Sequence, residues 1–527
     1  MSDEKIIHFN GLNITTGQYL TAPMTVAAFA AAAQAQQQPV KPPQPQVAAA
    51  GVRGVVRVLP PPHAAAVRSA AAHPLTAAFR PSAVPGFDPT KLEEAGWGVI
   101  FAGEPDPAVY DALRPLLDLR RAQASRLKPQ RYKEYRGRDG WQPRETADHF
   151  LQRHGAKLRH VKPDEVPYYL LLVADPRAIV YGSQANLDMQ RAVGRIHFRT
   201  PEEYASYARS VVAAETGKSS VPRRAALFGP TNDRNTRMSC KELVRPLARA
   251  LRADRPTWKI DKITADRAVK ATLGQLLGGG DPAALVFTAS HGGFTPYGDP
   301  VQVKRQGCLI CQGFHVKKIG TKSYNPADYY FSGEDIPNSA RIPPMITFHF
   351  ACFGVGTPRH DQFIPDEPSR KSGRARSAKE LAPVPFVAYL PQRLLGHPKG
   401  GALASIGHVE RAWGFTFHAE HKDTVATFRR ALLAIMDGKP VGHAMKSFGS
   451  RYTQLTAQLA GFRQPQGTSV TDEGTDGDFV IRGQAPSHAR REITSDDYVA
   501  LWTALKDARN YAIVGDPAVR LPLPATR

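Results

Sequence analysis

The chain has 527 residues, 42% of them hydrophobic, which exceeds one ordinary domain and allows a large buried core. A formal net charge of +22 would attract nucleic acid, anionic membrane or acidic protein, yet Lys and Arg are scattered along the chain. No zinc finger, aromatic RNA-binding signature or recognition helix turns that charge into readout, so nucleic acid is not expected as the main ligand. Four cysteines exclude a disulfide framework and fit a reducing, cytoplasmic setting.

Residues 1–94 read as an Ala/Pro-rich, low-complexity arm: a polar opening from Ile6 to Leu20, Ala/Gln runs, Pro42-Pro43-Gln44-Pro45 and Pro60-Pro61-Pro62. Such a composition buries too little to offset its ordering entropy, and a flexible linker is the plain reading. The sharper one is a regulatory pro-segment that binds a partner, with Ile6 to Leu20 as a small docking element. The opening has no basic segment ahead of an apolar run, as a secretory signal would. Met24 to Ala33 is far shorter than the roughly 20 residues of a membrane span, so no membrane partner is expected.

From Gly96 onward, short apolar runs alternate with amphipathic stretches, the signature of a parallel sheet covered by helices. Trp97 to Ala102 and Tyr168 to Ala174 predict strands, and Glu202 to Ala214 a helix. Val109, Leu113, Leu116, Leu117 and Arg120 follow helical spacing, with Pro115 expected to kink that helix or delay its start. After a linker at Lys218-Ser219-Ser220 a second series begins. It predicts strands at Ala225 to Phe228, Ala284 to Thr288, Met345 to Ala351 and Gly401 to Ile406, and helices at Cys240 to Leu251 and Tyr498 to Lys506. The pattern predicts two side-by-side α/β units, 95–217 and 218–527.

In open parallel sheets the working groups sit just beyond the carboxyl ends of strands. His291 and Cys352 both fall there, each shortly after a buried apolar run. If the two strands are neighbours, their loops bring imidazole and thiol together. A thiol needs a base or a nearby imidazolium to raise its thiolate fraction, and the same imidazole can protonate a leaving amine. Gly292 has no β-carbon to block approach to the main chain, and its N–H with that of Cys352 would form an oxyanion hole.

Leu285-Val-Phe-Thr-Ala-Ser-His-Gly-Gly293 and Ile346-Thr-Phe-His-Phe-Ala-Cys-Phe-Gly354 resemble the His-Gly and Ala-Cys blocks of clan CD cysteine peptidases, the group of caspases, gingipains and separases. His291 and Cys352 lie about 60 residues apart, close to the caspase separation of about 50. Tyr168 to Asp175, Ala192 to Ile196, Gly400 to Gly407 and Val514 to Pro522 are similar, in that order, to blocks of the gingipain-like branch. The resemblance implies a caspase-like doubly wound, mostly parallel sheet. Its first unit would be a non-catalytic copy, and the second would carry a Cys-His dyad that hydrolyses polypeptide, with no cofactor. It also implies that Trp413 lies against the acyl-side residue of the substrate. An acidic group would select Arg or Lys there, for which Asp188, Glu410 and Asp299 are the candidates. The basic stretch Ser369 to Lys379 is a solvated loop or, in a zymogen of such specificity, a self-processing site.

Other signals are weaker. Cys308-Leu-Ile-Cys311 with His315 is half of a zinc pattern, His349 and His360 being unsupported completions, so no metal is expected. No calcium-binding loop is present in the sequence, and Gly278-Gly-Gly280 precedes a strand rather than a helix, unlike a phosphate cradle. His408, His418 and His421 read as surface or structural. Two alternatives to the peptidase are weighed: a catalytically weak caspase-fold scaffold binding other proteins, and a basic nucleic-acid binder.

Overall fold

The computed structural model describes residues 6–7, 11–35, 86–156, 161–365, 378–413, 422–460, 462–463, 491–492 and 495–524. Its centre is one ten-stranded sheet. In chain order the strands are β1 (Trp97–Phe101), β2 (Tyr132–Tyr135), β3 (Tyr169–Val173), β4 (Ala192–Ile196) and β5 (Arg224–Gly229). They continue with β6 (Lys259–Thr264), β7 (Leu285–Ala289), β8 (Ile346–Phe350), β9 (Ala404–His408) and β10 (Tyr511–Gly515). Across the sheet the order is β2-β1-β3-β4-β10-β9-β8-β7-β5-β6.

The central strands are near-continuous apolar runs because both faces of the sheet are covered. Side chains alternate across a strand. Accordingly Val99 and Phe101 enter the main core while Ile100, Leu170 and Leu172 enter a second one with Phe150 and Trp141. The edge strands differ. Tyr-Lys-Glu-Tyr of β2 and Lys-Ile-Asp-Lys-Ile-Thr of β6 are only partly buried and carry charges that discourage further pairing, so apolar run length did not mark them.

All neighbouring strands are parallel except β9 and β10. Strand β10 is parallel to β4 but antiparallel to β9, so the two half-sheets run in opposite directions and their carboxyl ends lie on opposite edges. The seam is tight: a Cβ at Gly194 of β4 would overlap the carbonyl oxygen of Gly515. Beyond it, Asp516 accepts Trp97 Nε1–H at 3.0 Å and Arg120 Nε–H at 2.6 Å, tying the chain's last strand to the first half.

Three helices matter below: α1 (Val26–Ala35), α2 (Pro107–Ala124) and α3 (Ser495–Arg509). Helix α2 starts early, at Pro107 with Asp106 capping Ala108 N–H, and runs through Pro115. Its buried face is Leu113, Leu116, Leu117, Arg120 and Ala124, the predicted face with Val109 only partly buried. Helices at Lys422–Met436 and Lys446–Ala460 were not predicted. Among the described residues, no helix is long and apolar enough to cross a membrane.

Candidate active site

Four neighbouring parallel strands deliver the site from their carboxyl ends. In the spatial order β5, β7, β8, β9 they end at Gly229, Ala289, Phe350 and His408, and are followed by Asp233, His291, Cys352 and Glu410 to Trp413. Ala289 of β7 is the register partner of Phe350 of β8. His291 and Cys352 therefore lie two residues beyond paired positions on adjacent strands, and Ser290 N–H donates to Phe350 O at 3.2 Å to continue the pairing.

The imidazole is held by a residue that the sequence reading missed. His291 Nε2 lies 2.6 Å from Asp233 Oδ2. The other oxygen of that carboxylate, Oδ1, accepts Thr236 N–H at 2.8 Å and caps the helix Arg234–Ser239, which fixes the carboxylate in place. Burial opposes charge on both partners, but their mutual attraction and hydrogen bond outweigh it. Asp233 is held well below the usual carboxylate range and His291 is raised above its ordinary 6.5. The signal was available: Gly229-Pro-Thr-Asn-Asp233 follows a predicted strand, the same place that singled out His291 and Cys352.

The thiol sits against the main chain of Ala412, whose N–H lies 3.3 Å from Cys352 Sγ and whose carbonyl oxygen lies 3.9 Å from it. Cys352 is 1% and His291 4% exposed. Burial pushes the thiol up to about 12, against the pull of Ala412 N–H and Arg411. Among the described residues no hydrogen bond joins His291 to Cys352 in this arrangement; the imidazole turns its Nε2 to Asp233. Gly292 is required by crowding: a Cβ there would overlap Cys352 O, so the chain's own main chain fills the space that sequence reasoning reserved for a substrate carbonyl. Phe353, next to the thiol, has φ of 57°, a left-handed conformation rare for a bulky residue, and its N–H is fixed on Glu410 O at 2.7 Å.

The specificity candidates separate. Trp413 is buried with its main-chain N–H on Asp507 Oδ1 at 3.0 Å, in a cluster with Phe29, Tyr498 and Trp502. Glu410 is fully buried, and burial and Asp361 push its carboxyl above the usual carboxylate range. Arg411 bridges the two acids, 2.8 Å from Glu410 Oε1 and 2.6 Å from Asp361 Oδ2, so both carboxylates are engaged from within the chain. Asp188 lines a cavity with Glu410, Gln362 and Tyr511, accepts Val193 N–H at 3.0 Å and is pushed up to about 6 by burial. Asp299 accepts Val301 N–H at 2.9 Å and shapes its own loop.

The Cys308–Cys311 segment braces the site from outside. Gly293 N–H donates to Cys308 O and Ile310 N–H to His291 O, while Asn232 Nδ2–H donates to Cys311 O. Among the described residues no group of three His, Cys, Asp or Glu side chains is placed to hold a metal. His408 is fully buried on Asp507 at 3.0 Å; His418, His421 and most of 369–379 lie outside the described residues.

No protein-family description matches the sequence, and no curated protein is significantly similar to it. Among solved structures, one titled "Structure of Protease" is similar at 11% identity over 81% of this chain and 78% of that one, with a TM-score of 0.44. The Arg-specific cysteine proteinase gingipain R is similar at 13% identity over 81% and 78%, with a TM-score of 0.45. The separase–securin complex of Saccharomyces cerevisiae is similar at 11% identity over 67% of this chain and 16% of that one, with a TM-score of 0.27. All three TM-scores fall below 0.5, so the site is read from its own geometry. The class that the chain's own strands define is α/β, with a mostly parallel sheet.

Proposed function

We propose that the chain is a cysteine peptidase in which Cys352 attacks the peptide carbonyl, His291 manages the protons and Asp233 positions His291. The observation that carries this reading is the spatial order Asp233, His291, Cys352 at the carboxyl ends of β5, β7 and β8, with the last two in matching register. His291 takes the proton from Cys352 Sγ, and thiolate attack on the carbonyl carbon forms an S–C bond and a tetrahedral oxyanion. Its collapse expels the amine, which takes a proton from His291, and water then hydrolyses the thioester. Gly292 N–H and Cys352 N–H are the donors for the oxyanion in this reading. In this reading 218–527 is the catalytic unit and 95–217 a non-catalytic copy.

The proposal extends to Arg or Lys on the acyl side, for which the Glu410–Asp361 pair, held by Arg411, is the candidate acidic group. A substrate cation would have to share those carboxylates with Arg411 or displace it. Self-cleavage within 369–379 follows if that preference holds. The test is hydrolysis of a peptide panel varied at that one residue, by wild type, Cys352→Ala and His291→Ala, with intact masses recorded after incubation. Hydrolysis that survives Cys352→Ala overturns the reading, and unchanged masses overturn self-cleavage.

One observation favours the scaffold alternative: the thiol is 1% exposed and held neutral. Silence of the wild type on every peptide, with the thiol open to reagents, decides for it.

A further inference from the structure

The N-terminal segment lies across the candidate site. Leu12–Asn13 adds as a parallel strand to Gly293–Phe294, with Leu12 N–H donating to Gly292 O at 3.3 Å and Ile14 N–H to Phe294 O at 3.1 Å. Leu12 and Ile14 are buried with Cys308, Ile310, Phe314 and Tyr330. Tyr19 O–H donates to Asp233 Oδ2 at 3.1 Å, the oxygen that also holds His291, and its ring stands edge-on to the imidazole at 5.9 Å. Thr21 Oγ1 accepts from Arg411 at 3.0 Å, one residue before the Ala412 N–H that meets the thiol. Phe29 of α1 is fully buried with its ring 6.1 Å from Trp413, beside Tyr498 and Trp502 of α3.

The segment thus touches in turn the His291 loop, Asp233, Arg411 and Trp413. Residues 11–35 contain no Asp, Glu, Lys or Arg, in a chain that is 22% charged. Their hold therefore rests on main-chain pairing, apolar contact and the hydrogen bonds of Tyr19 and Thr21 rather than on ion pairs, the mode by which an extended peptide adds to a sheet edge.

We propose that the surface from Gly293 to Trp413 is a polypeptide-docking groove, and that residues 11–35 occupy it as an intramolecular plug that must leave before Cys352 can be reached. This rests on the peptidase reading for its consequence, but the plug is tested without catalysis. The full chain is treated with iodoacetamide, and alkylation of Cys352 is followed by peptide mass mapping, alongside amide hydrogen exchange at Leu12 to Ile14. A full-length Tyr19→Ala/Phe29→Asp variant should lose protection at those amides and alkylate Cys352 at least tenfold faster, with little dependence on salt. Lost protection with an unchanged alkylation rate overturns the plug, as does fast alkylation of the wild type while those amides stay protected. Faster alkylation without hydrolysis of any peptide leaves the plug standing and sinks the peptidase. Should the variant fail to fold, the wild type cut at a specific-protease site inserted within 36–85 decides. Dilution must speed alkylation and a synthetic 11–35 peptide must slow it again; the absence of either change overturns the proposal.

Discussion

The two half-sheets use the same architecture and end differently. At the carboxyl ends of β3 and β4, polar groups are closed on one another: Asp175 pairs with Arg177 and His197, and Arg195 is bound by Gln184 Oε1, Ala174 O and Ile179 O. At the carboxyl ends of β5, β7 and β8, one carboxylate holds one imidazole, and the thiol beside them accepts Ala412 N–H. The Cys352 thiol, by contrast, meets the main chain of Ala412 rather than a charged side-chain partner in a hydrogen bond. The glycines divide in the same way: Gly194 lets two strands of the seam meet, whereas Gly292 lets two reactive loops meet.

This contrast can be broken by substitution. The largest effect is expected for Cys352→Ala, which should abolish peptide hydrolysis while leaving the unfolding midpoint within about 1 kcal/mol of wild type. His291→Ala should lower kcat by roughly 10²- to 10⁴-fold, the range of a lost acid–base group, as read on the best peptide of the panel. Gly292→Ala drives a methyl into Cys352 O and should cost at least about tenfold in kcat through misplacement of the nucleophile. Gly194→Ala, equally crowded but at the seam, should instead cost about 1–3 kcal/mol in a urea melt. A seam variant that lost kcat at full stability would erase the distinction. The smallest effect is expected for Asp175→Ala, whose partner Arg177 is 64% exposed: about 0–1 kcal/mol and no change in hydrolysis.

Asp233→Asn sharpens the comparison through pH. His291 is raised above 6.5, so its share of the stability is complete below 6.5 and fades as pH rises through the raised value. Asp233 is lowered from 3.8, so its share is present above 3.8 and is lost only as pH falls through the depressed value. The stability gap between wild type and Asp233→Asn should therefore be widest from about pH 4 to 6.5 and shrink toward alkaline pH. A gap constant from pH 5 to 9 would mean that the pair is not ionic.

What the sequence made legible follows nearest-neighbour physics. Unbroken runs such as Tyr168 to Ala174 marked buried strands, and the positions of His291 and Cys352 just past two such runs marked reactive ends. The mixed sequences of β2 and β6 hid them, because an edge strand buries only part of its surface. Strand β4 was known only as a block of a family resemblance, and its buried Arg195 makes sense only once three acceptors surround it. The arm was expected to be mostly unstructured from its composition, and for residues 36–85 the structure describes nothing.

By itself, then, the sequence determined the buried central runs such as Tyr168 to Ala174 and Ala284 to Thr288, and that His291 and Cys352 follow two such runs, since those properties depend on residues adjacent along the chain. Tertiary structure alone decided that β7 lies beside β8 in matching register, that Asp233 reaches His291, that Arg411 takes Glu410 and Asp361, and that residues 11–35 lie over the site. Each of these joins residues tens to hundreds of positions apart, and such contacts are set by the packing of the whole sheet rather than by any local pattern.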